Sequence, residues 1–185
     1  MVINEKALLT QMNEAYSKQG GYTVAVVGDY MMFTNGTWVA VIERDNVPSE
    51  LLGLMAKHIR DIPGEGQAYT VYKVKGDTIA QSRILTEAIQ PWTHLANRKE
   101  EGMGSKMRRT SLTLRGMLLW QEVEGENLYM IDPRYAVLFA NGLEQTRLGN
   151  GIFAEGEISQ LWVLRNVDGA LEEPLEYLQK FRWVE

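Results

Sequence analysis

The chain has 185 residues, 45% hydrophobic and 23% charged, with a formal net charge of −5. That balance supports a buried core rather than disorder, and the acidic total excludes a protein that coats nucleic acid through bulk positive charge. The absence of cysteine excludes disulfides, thiolate zinc sites, iron–sulfur clusters and a cysteine nucleophile.

At about 150 residues per domain, a single α+β domain over 1–185 is expected. The start, Met1-Val2-Ile3-Asn4-Glu5-Lys6, has neither the basic nor the apolar region of a secretory leader. No apolar run approaches the ~18 residues that span a bilayer. A cytoplasmic protein without membrane partners is therefore expected.

Asn4 caps a helix to about Lys18, with Leu8, Met12, Ala15 and Tyr16 on one face and Gly20-Gly21 ending it. Strands follow at 22–27, 30–34 and 37–42. Asn35-Gly36 tolerates the positive φ angles of a type I′ turn, so the last two form a hairpin with Trp38 buried. Pro48 opens a second helix, whose Leu51, Leu52, Met55, Ile59 and Ile62 face inward before Pro63. Strands at 68–74 and 78–85 come next. Gln90 to Arg109, with Pro91, Gly102, Gly104 and dense charge, reads as a long surface loop or partly helical excursion. Strands at 111–120 and 127–131 precede Asp132-Pro133, a cap and first helical residue, with Tyr135, Leu138 and Phe139 inward and Gly142 closing. Strands near 151–154 and 158–165 and a helix from about Pro174, using Leu175, Leu178 and Phe181, complete the chain.

Val2-Ile3-Asn4-Glu5-Lys6 and Met130-Ile131-Asp132-Pro133-Arg134 share an order: two apolar residues, a capping side chain, then a basic one. Each leads to a helix, strands with glycine turns and a strand bearing tryptophan, Trp38 or Trp162. Repeat-like units at about 2–42 and 130–165 are expected, separated by a central insertion at about 48–110.

Over about half its length the chain resembles the DNA sliding-clamp (processivity factor) fold. The residues that carry the resemblance are Gly28-Asp29-Tyr30 leading to Thr34-Asn35-Gly36-Thr37, the segment Ile131-Asp132-Pro133-Arg134-Tyr135, and Ile158-Ser159-Gln160-Leu161-Trp162-Val163-Leu164. Pro48 to Arg109 has no counterpart in that pattern. The resemblance implies an antiparallel-rich sheet with helices on one side, an internally duplicated domain, and a non-enzymatic module that associates with DNA or DNA-processing proteins as a homo-oligomer. Lys6, Lys18 and Arg134 fall on the equivalent helices.

Catalytic patterns are missing. There is no Gly-x-x-x-x-Gly-Lys-Ser/Thr and no Gly-x-Ser-x-Gly, and Gly149-Asn150-Gly151 reads as a hairpin turn rather than a dinucleotide loop. His58 with Asp61 reads as a surface pair rather than a metal site, and no metal or cofactor is expected. Arg98, Lys99, Lys106, Arg108 and Arg109 form the basic patch suited to phosphates. Alternatives to a DNA-associated module are an interaction or scaffold protein that holds another chain in a groove or at a strand edge, and an enzyme whose site one sequence does not reveal.

Overall fold

The computed structural model describes residues 1–18, 20–102, 104–166 and 171–183. Asn4 accepts a hydrogen bond from the Ala7 amide (3.3 Å) at the start of α1 (Glu5–Lys18), which buries Leu8, Met12 and Ala15. Strands β1 (Tyr22–Val27), β2 (Tyr30–Thr34) and β3 (Trp38–Glu43) form a meander, followed by a 3-10 turn at Arg44–Asn46 and α2 (Ser49–Ile59). Then come β4 (Ala68–Val74), β5 (Asp77–Ser82), α3 (Leu85–Ala88), α4 (Gln90–Glu100), β6 (Lys106–Leu114), β7 (Met117–Glu122) and β8 (Leu128–Ile131). The chain continues through α5 (Pro133–Ala136), β9 (Gln145–Leu148), β10 (Gly151–Glu155), β11 (Ser159–Leu164) and α6 (Glu172–Gln179).

Among the described residues, all eleven strands belong to one antiparallel sheet, in the order β5-β4-β1-β2-β3-β11-β10-β9-β6-β7-β8. The fold is α+β and antiparallel, as the sequence implies. The central pair is β3 with β11, where Trp38 lies opposite Val163 and Val39 opposite Trp162. An α–β–β–β path is traced twice. It runs from Ile3, bridged to Phe139, through α1 to β1–β3, and from β8 through α5 to β9–β11. The two tryptophans are not equivalent, however. Strand alternation puts Trp38 on one face, fully buried with Leu8, Met12 and Leu51, and Trp162 on the other, with Met32, Val39 and Phe153.

The first face carries α1, α2 and α5. Against the expectation of helices on one side only, the second face is covered by α3 and α4 over its centre and by α6 at the β8 end. Of the two readings of Gln90 to Arg109, the partly helical one holds. Pro91 sits in the first turn of α4, where its missing amide costs nothing, and Leu95 buries against Ala25, Met32 and Phe153 on the sheet. Lys106 already begins β6. The expected insertion at 48–110 thus supplies β4 and β5, which widen the main sheet.

Two hairpins depart from the sequence reading. The expected strand at 111–120 is β6 folding back into β7 across Arg115 and Gly116, both at positive φ (47° and 82°). At Asn35-Gly36 only Gly36 has a positive φ (89°), so the loop is not a two-residue type I′ turn. Instead the Asn35 side chain closes it, accepting hydrogen bonds from the amides of Thr37 (3.0 Å) and Trp38 (3.4 Å). The hairpin and the burial of Trp38 stand as expected.

Candidate binding surfaces

The second sheet face changes character from one row of residues to the next. Ala68, Ala25, Met32 and Val41 stand side by side across β4, β1, β2 and β3 and form an apolar row, whereas the neighbouring row is Thr70, Thr23 and Thr34, then Val39 and Trp162. Thr23 and Thr70 share a hydroxyl–hydroxyl hydrogen bond of 2.9 Å, and the Thr34 hydroxyl donates to the Trp38 carbonyl (2.6 Å) while accepting from the Gly36 amide (3.0 Å). Over the apolar row lies the Leu95 side of α4. The threonine row is left as the floor of an open cleft of about 1020 Å³.

The roof of that cleft is helical. Gln90, Thr93, His94 and Asn97 recur at three- and four-residue spacing, so they lie on one side of α4, and all line the cavity. Ile89, Pro91, Trp162 and Leu164 add apolar walls, and Arg83 with Glu87 (4.0 Å) places one weak ion pair at the α3 end. Thr93 bonds back to the Ile89 carbonyl, but the side chains of Gln90, His94 and Asn97 have no hydrogen-bond partner among the described residues. Strand order brings these groups together: Thr23 and Thr70 are adjacent only because β4 pairs with β1.

The basic residues singled out in the sequence do not converge. Lys6 and Lys18 are exposed at opposite ends of α1, and Arg134 of α5 pairs with Asp132, the N-cap of that helix, all on the first face. Arg98 and Lys99 belong to α4 on the second face. Arg98 pairs with Glu101 (3.0 Å), and Lys99 pairs with Glu155 (2.5 Å) and lies over the Phe153 ring (5.4 Å). On β6, Lys106 meets Glu144 (2.8 Å), the exposed Arg108 lies opposite Gln121 of β7, and Arg109 lies 5.9 Å from the Trp120 ring centroid on the first face. The Arg134 guanidinium holds the Asp132 carboxyl below the ordinary carboxylate range, chiefly through their side-chain hydrogen bonds. Most of this charge is therefore matched locally.

His58 is not the surface partner of Asp61. It is 5% exposed, stacked on Tyr16 (4.0 Å between ring centroids), with Nδ1 3.1 Å from the Tyr22 hydroxyl. Among the described residues no group of histidine and carboxylate side chains could hold a metal ion. No helix there is long and apolar enough to cross a membrane.

No family model matches the chain, and neither does any curated protein sequence. Solved structures to which the chain is similar are DNA polymerase beta chains. They include the beta subunit of DNA polymerase from Streptococcus pyogenes (8% identity, TM-score 0.37), a putative DNA polymerase III beta subunit from Eubacterium rectale (7%, 0.35) and the DNA polymerase III beta chain from Streptococcus pneumoniae (9%, 0.36). Each match covers 90% of this chain and 64% of the other, so the chain spans less than two thirds of the length of these structures.

Proposed function

We propose that the chain is a non-enzymatic binding module and that the cleft between the threonine row and α4 holds an extended segment of a partner protein. The observation that carries this reading is the set of exposed side chains without a hydrogen-bond partner among the described residues, Gln90, His94 and Asn97, facing Thr23 and Thr70 across an open cavity. A polypeptide segment needs both apolar contact and neutral hydrogen-bonding groups, and this lining offers both. Partners among DNA-processing proteins, and assembly of the chain as a cytoplasmic homo-oligomer, extend the reading in the direction of the sequence resemblance. The double α–β–β–β path supports descent from a duplicated unit of that kind.

The test is selection of displayed random peptides on the immobilised protein, with counter-selection on Asn97→Trp, which fills the cleft from an exposed helical position. Peptides that bind the protein and not the variant support the reading. Peptides that bind both equally, or none enriched at all, overturn it.

A second reading, direct association with duplex DNA, is favoured by Lys6 and Lys18, which are exposed and make no ion pair among the described residues. They stand roughly 18 Å apart along α1 at ~1.5 Å per residue, a span over which both could meet phosphates. Duplex binding at low salt that weakens in Lys6→Gln/Lys18→Gln supports it, and no binding by the intact protein refutes it.

A further inference from the structure

The last turn of α6 and the segment after it present three aromatic rings to solvent. Tyr177 is 60% exposed, Phe181 45% and Trp183 37%, and the rings adjoin one another, with centroids 5.5 Å apart for Tyr177 and Phe181 and 5.8 Å for Phe181 and Trp183. From Tyr177 to Trp183 the sequence carries Lys180 and Arg182 and no acid. Lys180 Nζ lies 5.8 Å from the Tyr177 ring centroid. The exposed Arg108 stands beside this strap, because it lies opposite Gln121 on β7 and Gln121 holds the strap itself.

The exposure is not fraying. Gln121 is 1% exposed and spends both ends of its amide on the segment, donating to the Phe181 carbonyl (2.7 Å) and accepting from the Trp183 amide (2.7 Å). The Trp183 indole donates to the Leu178 carbonyl (2.9 Å), and the Arg182 guanidinium donates to the Val123 carbonyl. The backbone is therefore pinned to the sheet while the rings stay outside. Grouped exposed rings of this kind mark an interaction surface, since soluble proteins otherwise bury them.

We propose that this strap is a platform for single-stranded nucleic acid, with bases stacking on Tyr177, Phe181 and Trp183 and phosphates meeting Arg108, Lys180 and Arg182. Aromatic rings interleaved with cations suit a strand whose bases are unstacked and whose backbone is anionic. A duplex, with its bases stacked inside, offers the rings nothing to stack on. An apolar protein surface would use the rings but gains nothing from three cations. The site shares no residue with the cleft on α4 and stands or falls independently of that reading.

The experiment is titration of the intact chain with fluorescein-labelled oligo-dT of roughly 12 nucleotides, within the usual reach of one such site, at several salt concentrations. Binding is expected to quench tryptophan fluorescence and to weaken about tenfold or more in Tyr177→Ala and in Trp183→Ala. Lys180→Gln and Arg182→Gln are each expected to reduce the log–log salt slope by about 0.7. Tyr177→Ala removes the most exposed ring and leaves the Gln121 contacts in place, so it separates loss of binding from loss of fold, which circular dichroism checks. Three results overturn the proposal: no binding of oligo-dT at low salt, equal competition by a duplex of the same length, or affinity unchanged in folded Tyr177→Ala. A concentration-dependent self-association that Tyr177→Ala abolishes, without oligonucleotide binding, would assign the rings to a protein contact instead and equally overturn it.

Discussion

The Tyr22 hydroxyl lies 3.1 Å from His58 Nδ1, joining β1 to α2 inside the first face. Burial, with a smaller contribution from Lys57, holds the His58 pKa below its ordinary value, and burial pushes the Tyr22 phenol up. A histidine whose folded pKa lies below its unfolded value of about 6.5 takes up its proton first in the unfolded chain. It therefore leaves stability intact above that pH and removes it as the pH falls through the folded value. The urea midpoint should decline between pH 7.5 and 5, and the decline should be smaller in His58→Asn. Parallel pH profiles for the two proteins would contradict this.

Gly20 and Gly21 both adopt positive φ (84° and 107°), but only Gly21 is also crowded, since a Cβ there would stand 2.4 Å from the Val71 carbonyl oxygen. Gly20→Ala should therefore cost about 1 kcal/mol. Gly21→Ala adds overlap with the β4 backbone to the same strain and should cost about 2–4 kcal/mol. Denaturant unfolding of the two variants distinguishes them, and equal costs would mean that β1 and β4 separate easily at this end.

Leu95 is 3% exposed and attaches α4 to the second face. Leu95→Ala should cost about 2–4 kcal/mol, whereas Lys99→Gln, which loses a pairing at the surface, should stay within about 1 kcal/mol. A Leu95→Ala effect as small as that of Lys99→Gln would indicate that α4 does not pack on the sheet.

Local chemistry made much of this fold legible. The Asn4 and Asp132 caps and the inward faces of α1 and α2 follow from residue type and spacing, except that Ile62 lies beyond α2 and is exposed, and the β1–β3 meander follows from short apolar runs between turn residues. What escaped has physical causes. The charge and glycine between Gln90 and Arg109 left α4 as one of two alternatives, although Pro91, Trp92 and Leu95 carried the helical signal. Arg115-Gly116 lacks the composition of an Asn-Gly turn yet adopts positive φ, so β6 and β7 read as one strand. In β9 only Leu148 is buried and apolar, while Gln145, Thr146 and Arg147, the last paired to Glu122 (3.2 Å), are half-buried and polar, so the strand offered no apolar run to find. Phe181 reads as an inward helical position but lies beyond α6 and is exposed. The cleft was invisible because Thr23, Thr34 and Thr70 meet only through strand order.

The most direct test of the binding reading is to map, by backbone NMR, where a selected peptide perturbs the protein. The account predicts that the largest shifts fall on Thr23, Thr70, Gln90, His94 and Asn97. Shifts confined to α1 and α5, or to the exposed edge strand β5, with the cleft unperturbed, would contradict it.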